Sequence, residues 1–269
     1  MSSWRALVVT AHPDDMEFGA AGTLARWADA GAEITLCVGT DGSTGTQDKT
    51  LMGKSLHDIR VKESEQAAEI IGIKEVVWLD HQDGYVRYTL DLRRDIARVF
   101  RRYRPHRFMV MDPTPVIGDF INHPDHRAIG QASLDVSMTA GTTPGHFPEL
   151  LDEGLEPWRG LRELWIAGPG LKPHLVDISE TIDRKIEALR CHRSQVGDNA
   201  DEIAAFVRTY TAEAGKAKGY AHAESFQVIA QGPGFHAGEQ DDVDLGDLAE
   251  APVDLRSSGT APGTADEVS

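Results

Sequence analysis

Short apolar runs alternate with amphipathic stretches through the first half of this chain, and that rhythm narrows the available folds more than any other feature. Leu7 to Thr10, Ile34 to Val38, Val76 to Leu79 and Phe108 to Met111 have the length and composition of buried strands. Between the first two, residues 17 to 30 set Phe18, Ala21, Leu24, Ala25 and Ala28 at helical spacing, and Gly31 stops the helix. Ser55 to Ile71 reads as a second helix with Gly72 beyond it. Asp91 to Tyr103 reads as a third, whose basic last turn suits the helix dipole ahead of Pro105. Repetition of strand and helix predicts a mostly parallel sheet covered by helices, because parallel neighbours need a crossover connection. Leu164 to Ala167, His174 to Ile178 and Ser225 to Ala230 continue the strands. A helix capped by Ser179 with Ile182, Ile186 and Leu189 on one face, and another over 199 to 214, continue the helices. No internal repeat is present.

Two charged clusters interrupt this pattern directly after strands. Ala11-His12-Pro13-Asp14-Asp15 follows the first strand, so it is delivered to the carboxyl edge of the sheet, where open α/β folds bind ligands. Pro13 fixes its own φ and biases His12 away from the helical region. In such a stiff turn Asp14 and Asp15 point in different directions, one free for a metal and one for substrate. The second cluster, Asn122-His123-Pro124-Asp125-His126, follows the fourth strand across a long loop. Asn122 or His123 caps a helix that Pro124 opens, and His123 and His126 share one helical face. His12, one Asp and one of these two histidines form a three-ligand set of the kind that holds catalytic zinc with one position left for water. The remaining carboxylate and histidine are then available for proton transfer and oxyanion stabilisation.

Single histidines such as His57, His81, His106 or His236 carry no such weight, since most are solvated or satisfied by a local turn. Nothing structural requires three ionisable groups at each of two strand ends. The Gly-rich loop 39 to 45 fits neither Gly-x-Gly-x-x-Gly nor a P-loop, which argues against a nucleotide cofactor. It either lines the site or merely turns. The net charge of −16 is uneven: from Ala237 onward nine Asp/Glu stand against Arg256 alone, a net −8. The body is therefore moderately acidic, which argues against a general nucleic-acid binder. Residues 236 to 269 lack apolar periodicity and read as an acidic, disordered tail behind a single domain over 1 to 235. Cys37 and Cys191 are isolated, and no apolar stretch has the length of a signal peptide or membrane span, so a cytoplasmic protein is expected. The Gly/Pro-rich segment 141 to 160 is expected as a surface excursion near the mouth of the site, shaping it together with the loop 43 to 55.

The chain resembles the PIG-L/LmbE-like family of zinc-dependent N-deacetylases. The residues that carry the resemblance are Ala11-His12-Pro13-Asp14-Asp15, Gly22-Thr23-Leu24-Ala25, Thr40-Asp41-Gly42, Arg60 with Glu63, Asp83-Gly84, His123-Pro124-Asp125-His126 and His192-Arg193-Ser194-Gln195, spanning most of residues 5 to 230. Met16 and Ala21 depart from it, standing where many members have an acidic residue and a Gly. The resemblance implies a Rossmann-like three-layer sandwich with its metal at the carboxyl edge of the strands. It implies zinc, or ferrous iron, on His12, Asp15 and His126, with Asp14 as general base and His123 opposite it. Asp125 would orient a histidine from behind, and Arg60 and Asp83 would contact substrate. The implied reaction is removal of acetyl from the amide nitrogen of an N-acetylglucosamine-type glycoconjugate by a metal-activated water. Amidase action on a larger acyl group of a thiol conjugate, and a non-catalytic metal or sugar-binding module, are the competing readings. The partner is then a small acetylated sugar conjugate, with no nucleic acid or membrane span, and a homo-oligomer is compatible with the sequence.

Overall fold

A computed structural model of the chain describes residues 4–117, 119–168 and 173–231. In chain order the elements are β1 (Arg5–Thr10), α1 (Asp15–Gly19), α2 (Ala21–Asp29), β2 (Glu33–Thr40), α3 (Lys54–Ile71), β3 (Glu75–His81), α4 (Leu90–Tyr103), β4 (Arg107–Met111), the hairpin strands β5 (Val116–Ile117) and β6 (Phe120–Ile121), and α5 (Pro124–Asp135). They continue with α6 (Glu149–Asp152), β7 (Glu163–Ala167), β8 (His174–Asp177), α7 (Ile182–Cys191), α8 (Arg193–Val196), α9 (Ala200–Gly215) and β9 (Ala223–Ala230). Seven strands form one sheet in the order β3-β2-β1-β4-β7-β9-β8. β1, β2, β3, β4 and β7 run parallel, and β9 pairs antiparallel with both β7 and β8.

Alternation along β1 shows why both faces are covered. Ala6 and Val8 pack into one core with α2, α3, α7 and α9, whereas Leu7 and Val9 pack into a second core with α4 and α5. The result is the expected α/β sandwich of three layers. The chain winds outward from β1 to β2 and β3, then returns through α4 to β4 on the other side of β1. Helices on the outward path therefore cover one face and α4 the other, because parallel crossovers keep one hand. That reversal opens a crevice at the carboxyl ends of β1 and β4, and both His/Asp clusters begin there.

Three local expectations are corrected. The helix expected over 17 to 30 starts at Asp15 and breaks at Ala20, whose φ of −147° is not helical. The break is held from a distance: the carboxylate of Glu224 on β9 accepts from Gly22 N (3.0 Å) and Thr23 N (2.7 Å), the free amides at the start of α2. Ser179 does not cap α7, since the N-cap is Thr181. The Ser179 hydroxyl instead donates to Asp177 Oδ1 and accepts from His222 N. Finally, the segment 141 to 160 is not at the mouth. The Trp158 indole donates to the Pro105 carbonyl and the buried Arg101 guanidinium donates to the carbonyls of Ala140, Thr143, His146 and Leu155, which fastens the segment beside the amino end of β4. That is the edge opposite the clusters. The expected tail over 236 to 269 lies outside the described residues. Among the described residues no helix is long and apolar enough to cross a membrane.

Candidate active site

The turn after β1 separates its two aspartates as its stiffness predicts. Asp14 occupies the N-cap position of α1 without capping it, and its Oδ1 instead accepts from Arg60 Nη2 at 2.9 Å. Asp15 folds back, so that its Oδ2 accepts from His12 N (2.7 Å) and Ala11 N (3.1 Å). Its other oxygen, Oδ1, is left facing His126 Nε2 at 3.1 Å. The second cluster forms the start of α5, with Pro124 in the first turn and His123 as N-cap, its Nδ1 accepting from Asp125 N at 3.3 Å.

Three side chains converge between the clusters. His12 Nδ1 lies 3.1 Å from His126 Nε2 and 3.5 Å from Asp15 Oδ2, and His126 Nε2 completes the triangle with Asp15 Oδ1. Two ligands at about 2.1 Å on a tetrahedral ion stand about 3.4 Å apart, so the spacing matches a zinc-sized centre. The surroundings set the tautomers, as assigned from the hydrogen-bond network. His12 Nε2 faces Asp83 Oδ1 (3.2 Å) and Asp125 Oδ2 (3.5 Å), and His126 Nδ1 faces the Asn122 amide oxygen (3.2 Å). With the proton on each of these nitrogens, as ion binding would require, each imidazole would turn a lone pair toward the other and toward the Asp15 carboxylate. Such a set of donors could hold a cation between them, and metal-binding histidines characteristically donate their other N–H to a carboxylate or amide. Two further combinations come within ligand distance, His12 with His123 and His126, and His12 with Asp83 and Asp125. The network favours neither. His123 Nδ1 is taken by a backbone amide, so its neutral ring presents N–H. Asp83 Oδ2 and both Asp125 oxygens are taken by the amides of Thr44, Gly84 and Val86.

Electrostatics point the same way. Burial disfavours charge on His12, but Asp15 and hydrogen bonds to Asp125, Asp15 and Asp83 outweigh it and push its pKa up to about 12. Burial would raise the Asp15 carboxyl, yet the flanking His126 and His12 hold it well below the usual range. The cluster of carboxylates thus demands positive charge at its centre. His123 behaves differently: burial first, then repulsion from His12, lowers its pKa. With Nδ1 accepting from Asp125 N, its Nε2 is left as the donor.

Arg60 and Asp83, expected to contact substrate, line the cavity and also bond to its catalytic and metal-binding candidates. Arg60 is 2% exposed and divides its guanidinium between Asp14 and the Gly42 carbonyl. Asp83 has one oxygen on His12 and the other on Thr44 N. Asp125, expected to orient a histidine, has Oδ2 3.5 Å from His12 Nε2 and accepts from the amides of Gly84 and Val86, which fastens the loop after β3. Asn122, read in the sequence only as a cap, holds His126 and donates to the carbonyls of Asp112 and Thr114. Its place one turn before a histidine was the available signal. The Gly-rich loop does line the site. Gly42 has φ +60° and lies against the Pro13 ring, where a Cβ would come within 3.0 Å. The segment His192 to Gln195 ties the surrounding elements together: His192 Nε2 lies 3.1 Å from Glu17 on α1, Ser194 donates to Glu63 on α3, and Gln195 donates to Gly45. These groups enclose an open cavity of about 340 Å³ lined by His12, Asp14, Asp15, Arg60, Asp83 and His123 among others.

Residues 7–137 match the family model PIG-L, described as GlcNAc-PI de-N-acetylase. The chain is 31% identical over 227 residues to a diacetylchitobiose deacetylase of Thermococcus kodakarensis, covering 84% of this chain and 83% of that protein. It is 30% identical over 201 residues to a probable N-acetyl-alpha-D-glucosaminyl L-malate deacetylase 2 of Bacillus cereus, covering 70% and 82%. The crystal structure of N,N'-diacetylchitobiose deacetylase from Pyrococcus horikoshii superposes with a TM-score of 0.78 at 30% identity, covering 91% of this chain and 89% of that one. Sequence, fold and the two strand-end clusters agree, and the chain belongs to the PIG-L family of de-N-acetylases.

Proposed function

We propose that this protein is a zinc-dependent hydrolase that removes acetyl from the amide nitrogen of an N-acetylglucosamine-type conjugate. The observation that carries the reading is the convergence of His12 Nδ1, His126 Nε2 and Asp15 at 3.1 to 3.5 Å beside a carboxylate, Asp14, that is not part of the triangle. His12, Asp15 and His126 would hold the ion, and their nitrogen and oxygen donors suit zinc or ferrous iron. Such an ion, when bound, activates a water and polarises the amide carbonyl. The names of the relatives described above, diacetylchitobiose deacetylases and a probable N-acetyl-alpha-D-glucosaminyl L-malate deacetylase, support the substrate class.

The protein's own residues account for the proton movements. Arg60 holds Asp14 by Oδ1, which fixes the carboxylate and leaves Oδ2 to accept the proton of the attacking water. As the carbonyl carbon becomes tetrahedral, its oxygen gains charge, and the N–H of His123 is positioned across the cavity to stabilise it. Asp14 then returns the proton to the departing amine. Acetate and a free amino sugar leave.

The test is metal analysis of the purified protein together with free-amine release from N-acetylglucosamine and its glycosides. About one equivalent of metal, with turnover abolished by chelation and restored by Zn²⁺, is expected. A protein that binds zinc stoichiometrically and releases no amine from any N-acetyl sugar would overturn the enzymatic reading in favour of a metal-binding module.

A further inference from the structure

A second cavity, also about 340 Å³, adjoins the first. The two share Phe18, and His126, one of the three converging residues, lines the second. Their chemistry is opposite. The first is walled by Asp14, Arg60, Asp83 and Gln195, groups that suit sugar hydroxyls and amine. The second spreads over the carboxyl ends of β4 and β7 and is walled by Phe18, Met111, Ile117, Ala167, Tyr210 and Ala214.

Most polar side-chain atoms in that second wall are already engaged, with Asp112 Oδ2 and the Ser225 hydroxyl left beside them. Glu224 is bound by Lys185 Nζ and by the amides of Gly22 and Thr23. Asn122 holds His126 and two carbonyls, Asp112 Oδ1 accepts from Thr114 N, and the Tyr210 hydroxyl donates to the Phe18 carbonyl. What the cavity offers a ligand is therefore mainly apolar surface. An acetyl methyl, about the size of a water at roughly 30 Å³, would fill about a tenth of it.

We infer that this cavity is an acyl subsite, which takes the hydrocarbon chain of an N-acyl amino sugar, so that the protein hydrolyses medium-chain N-acyl groups in addition to acetyl. The inference rests on the proposed amide hydrolysis. With the sugar in the polar cavity and the carbonyl beside the His12, Asp15 and His126 triangle, the acyl chain runs past Phe18 and His126 into the apolar one. The chemistry is unchanged: the C–N bond breaks, the water oxygen joins the acyl carbon, and its proton passes through Asp14 to the amine, giving a carboxylate and a free amino sugar. Four added methylenes, each worth about fourfold when buried, make a hexanoyl chain strongly preferred if the cavity accepts it.

The experiment compares N-acetyl-, N-butanoyl- and N-hexanoylglucosamine by amine release from the metal-loaded protein, in the parent and in Ala214→Phe and Ile117→Trp, which fill the cavity from opposite elements. The expected result is a hexanoyl-to-acetyl ratio of kcat/KM of ten or more in the parent, brought to about one by either substitution. Poor folding lowers both substrates together and leaves the ratio, so it does not imitate this result. Acetyl hydrolysis with a parent ratio below one, or a ratio that neither variant changes, overturns the acyl subsite and leaves the deacetylase reading standing. If no N-acyl sugar is cleaved, the deacetylase reading fails. Calorimetry with hexanoate and acetate then decides the cavity, and hexanoate binding less than tenfold tighter than acetate overturns it.

Discussion

Several carboxylates meet around the His12 imidazole, and what divides their work is which of their atoms are already satisfied. Asp83 and Asp125 are bonded to backbone amides and to His12 Nε2, so they set its tautomer and orientation. Removing such a partner characteristically weakens metal affinity by about 10- to 100-fold. Asp83→Ala should therefore lower zinc affinity in that range while the fold persists, as read by competition with a chromogenic chelator; unchanged affinity would return Asp83 to a substrate-contacting role. Asp14 lies outside the triangle. Asp14→Asn preserves its size and its bond from Arg60 but removes the proton acceptor, so metal content should persist and turnover fall by about 10²-fold or more. Loss of the metal in this variant would exchange the roles of Asp14 and Asp15. His126→Ala, in contrast, removes a member of the triangle and should strip the metal, which elemental analysis reads directly.

At the scale of elements, the buried Lys185–Glu224 pair stands behind the first wall of the site. Lys185 Nζ donates to Glu224 Oε1 (2.6 Å) and to the Phe18 carbonyl (2.8 Å), and Glu224 caps the start of α2. α7 and β9 thereby hold the break between α1 and α2 that directs Phe18 between the two cavities. Lys185→Met leaves Glu224 buried without its countercharge, and breaking such a pair costs about 3 to 5 kcal/mol, which urea unfolding should show. Adding Glu224→Gln should recover part of the loss, because the stranded charge is removed while an acceptor remains for the α2 amides. A Lys185→Met protein as stable as the parent would mean that water reaches Glu224. This pair also shows where sequence reading stops. The strands, most helices and both His/Asp clusters announce themselves locally, through periodicity, stop signals and composition within a few residues. The break at Ala20 depends on a carboxylate some two hundred positions later, and the location of 141 to 160 depends on Arg101 and Trp158 finding carbonyl partners far along the chain. Gly and Pro content marked that segment as a loop, and nothing local says which edge of the sheet receives it. The bonds from Arg60 to Asp14 and from Asp83 to His12 were hidden for the same reason, since sequence does not say which charge a given charge meets.

At the scale of the whole molecule, the sheet separates chemistry from scaffolding. Everything that lines the two cavities lies at the carboxyl edge of β1 to β4 and β7, and the amino edge is closed by packing. There Arg107, 1% exposed, lies against the rings of Trp4, Trp27 and Trp165 and pairs with Glu163 at 2.7 Å. β9 runs against this direction, with Phe226 beside Ala167 and Ala230 beside Glu163, so it carries the chain away from the site to the amino edge. Gln231 N, at the end of the described body, donates to the Arg162 carbonyl there. The acidic residues from Glu239 onward thus follow a chain that leaves on the far side from the cavities, and they hold half of the net charge. Deleting 238 to 269 should leave the urea midpoint and kcat/KM for an N-acetyl sugar within about twofold of the full chain, since the strand pairing and both cores of the described residues lie before the cut. The salt dependence of activity makes the prediction sharper. If the tail reached back to the site, its charge would repel the Asp-rich cavity's anionic ligands and attract cations at low ionic strength, an effect screened within about 10 Å at 0.1 M salt. With the chain leaving on the far side, full-length and shortened proteins should show the same salt profile, and a difference confined to low salt would place the tail over the mouth.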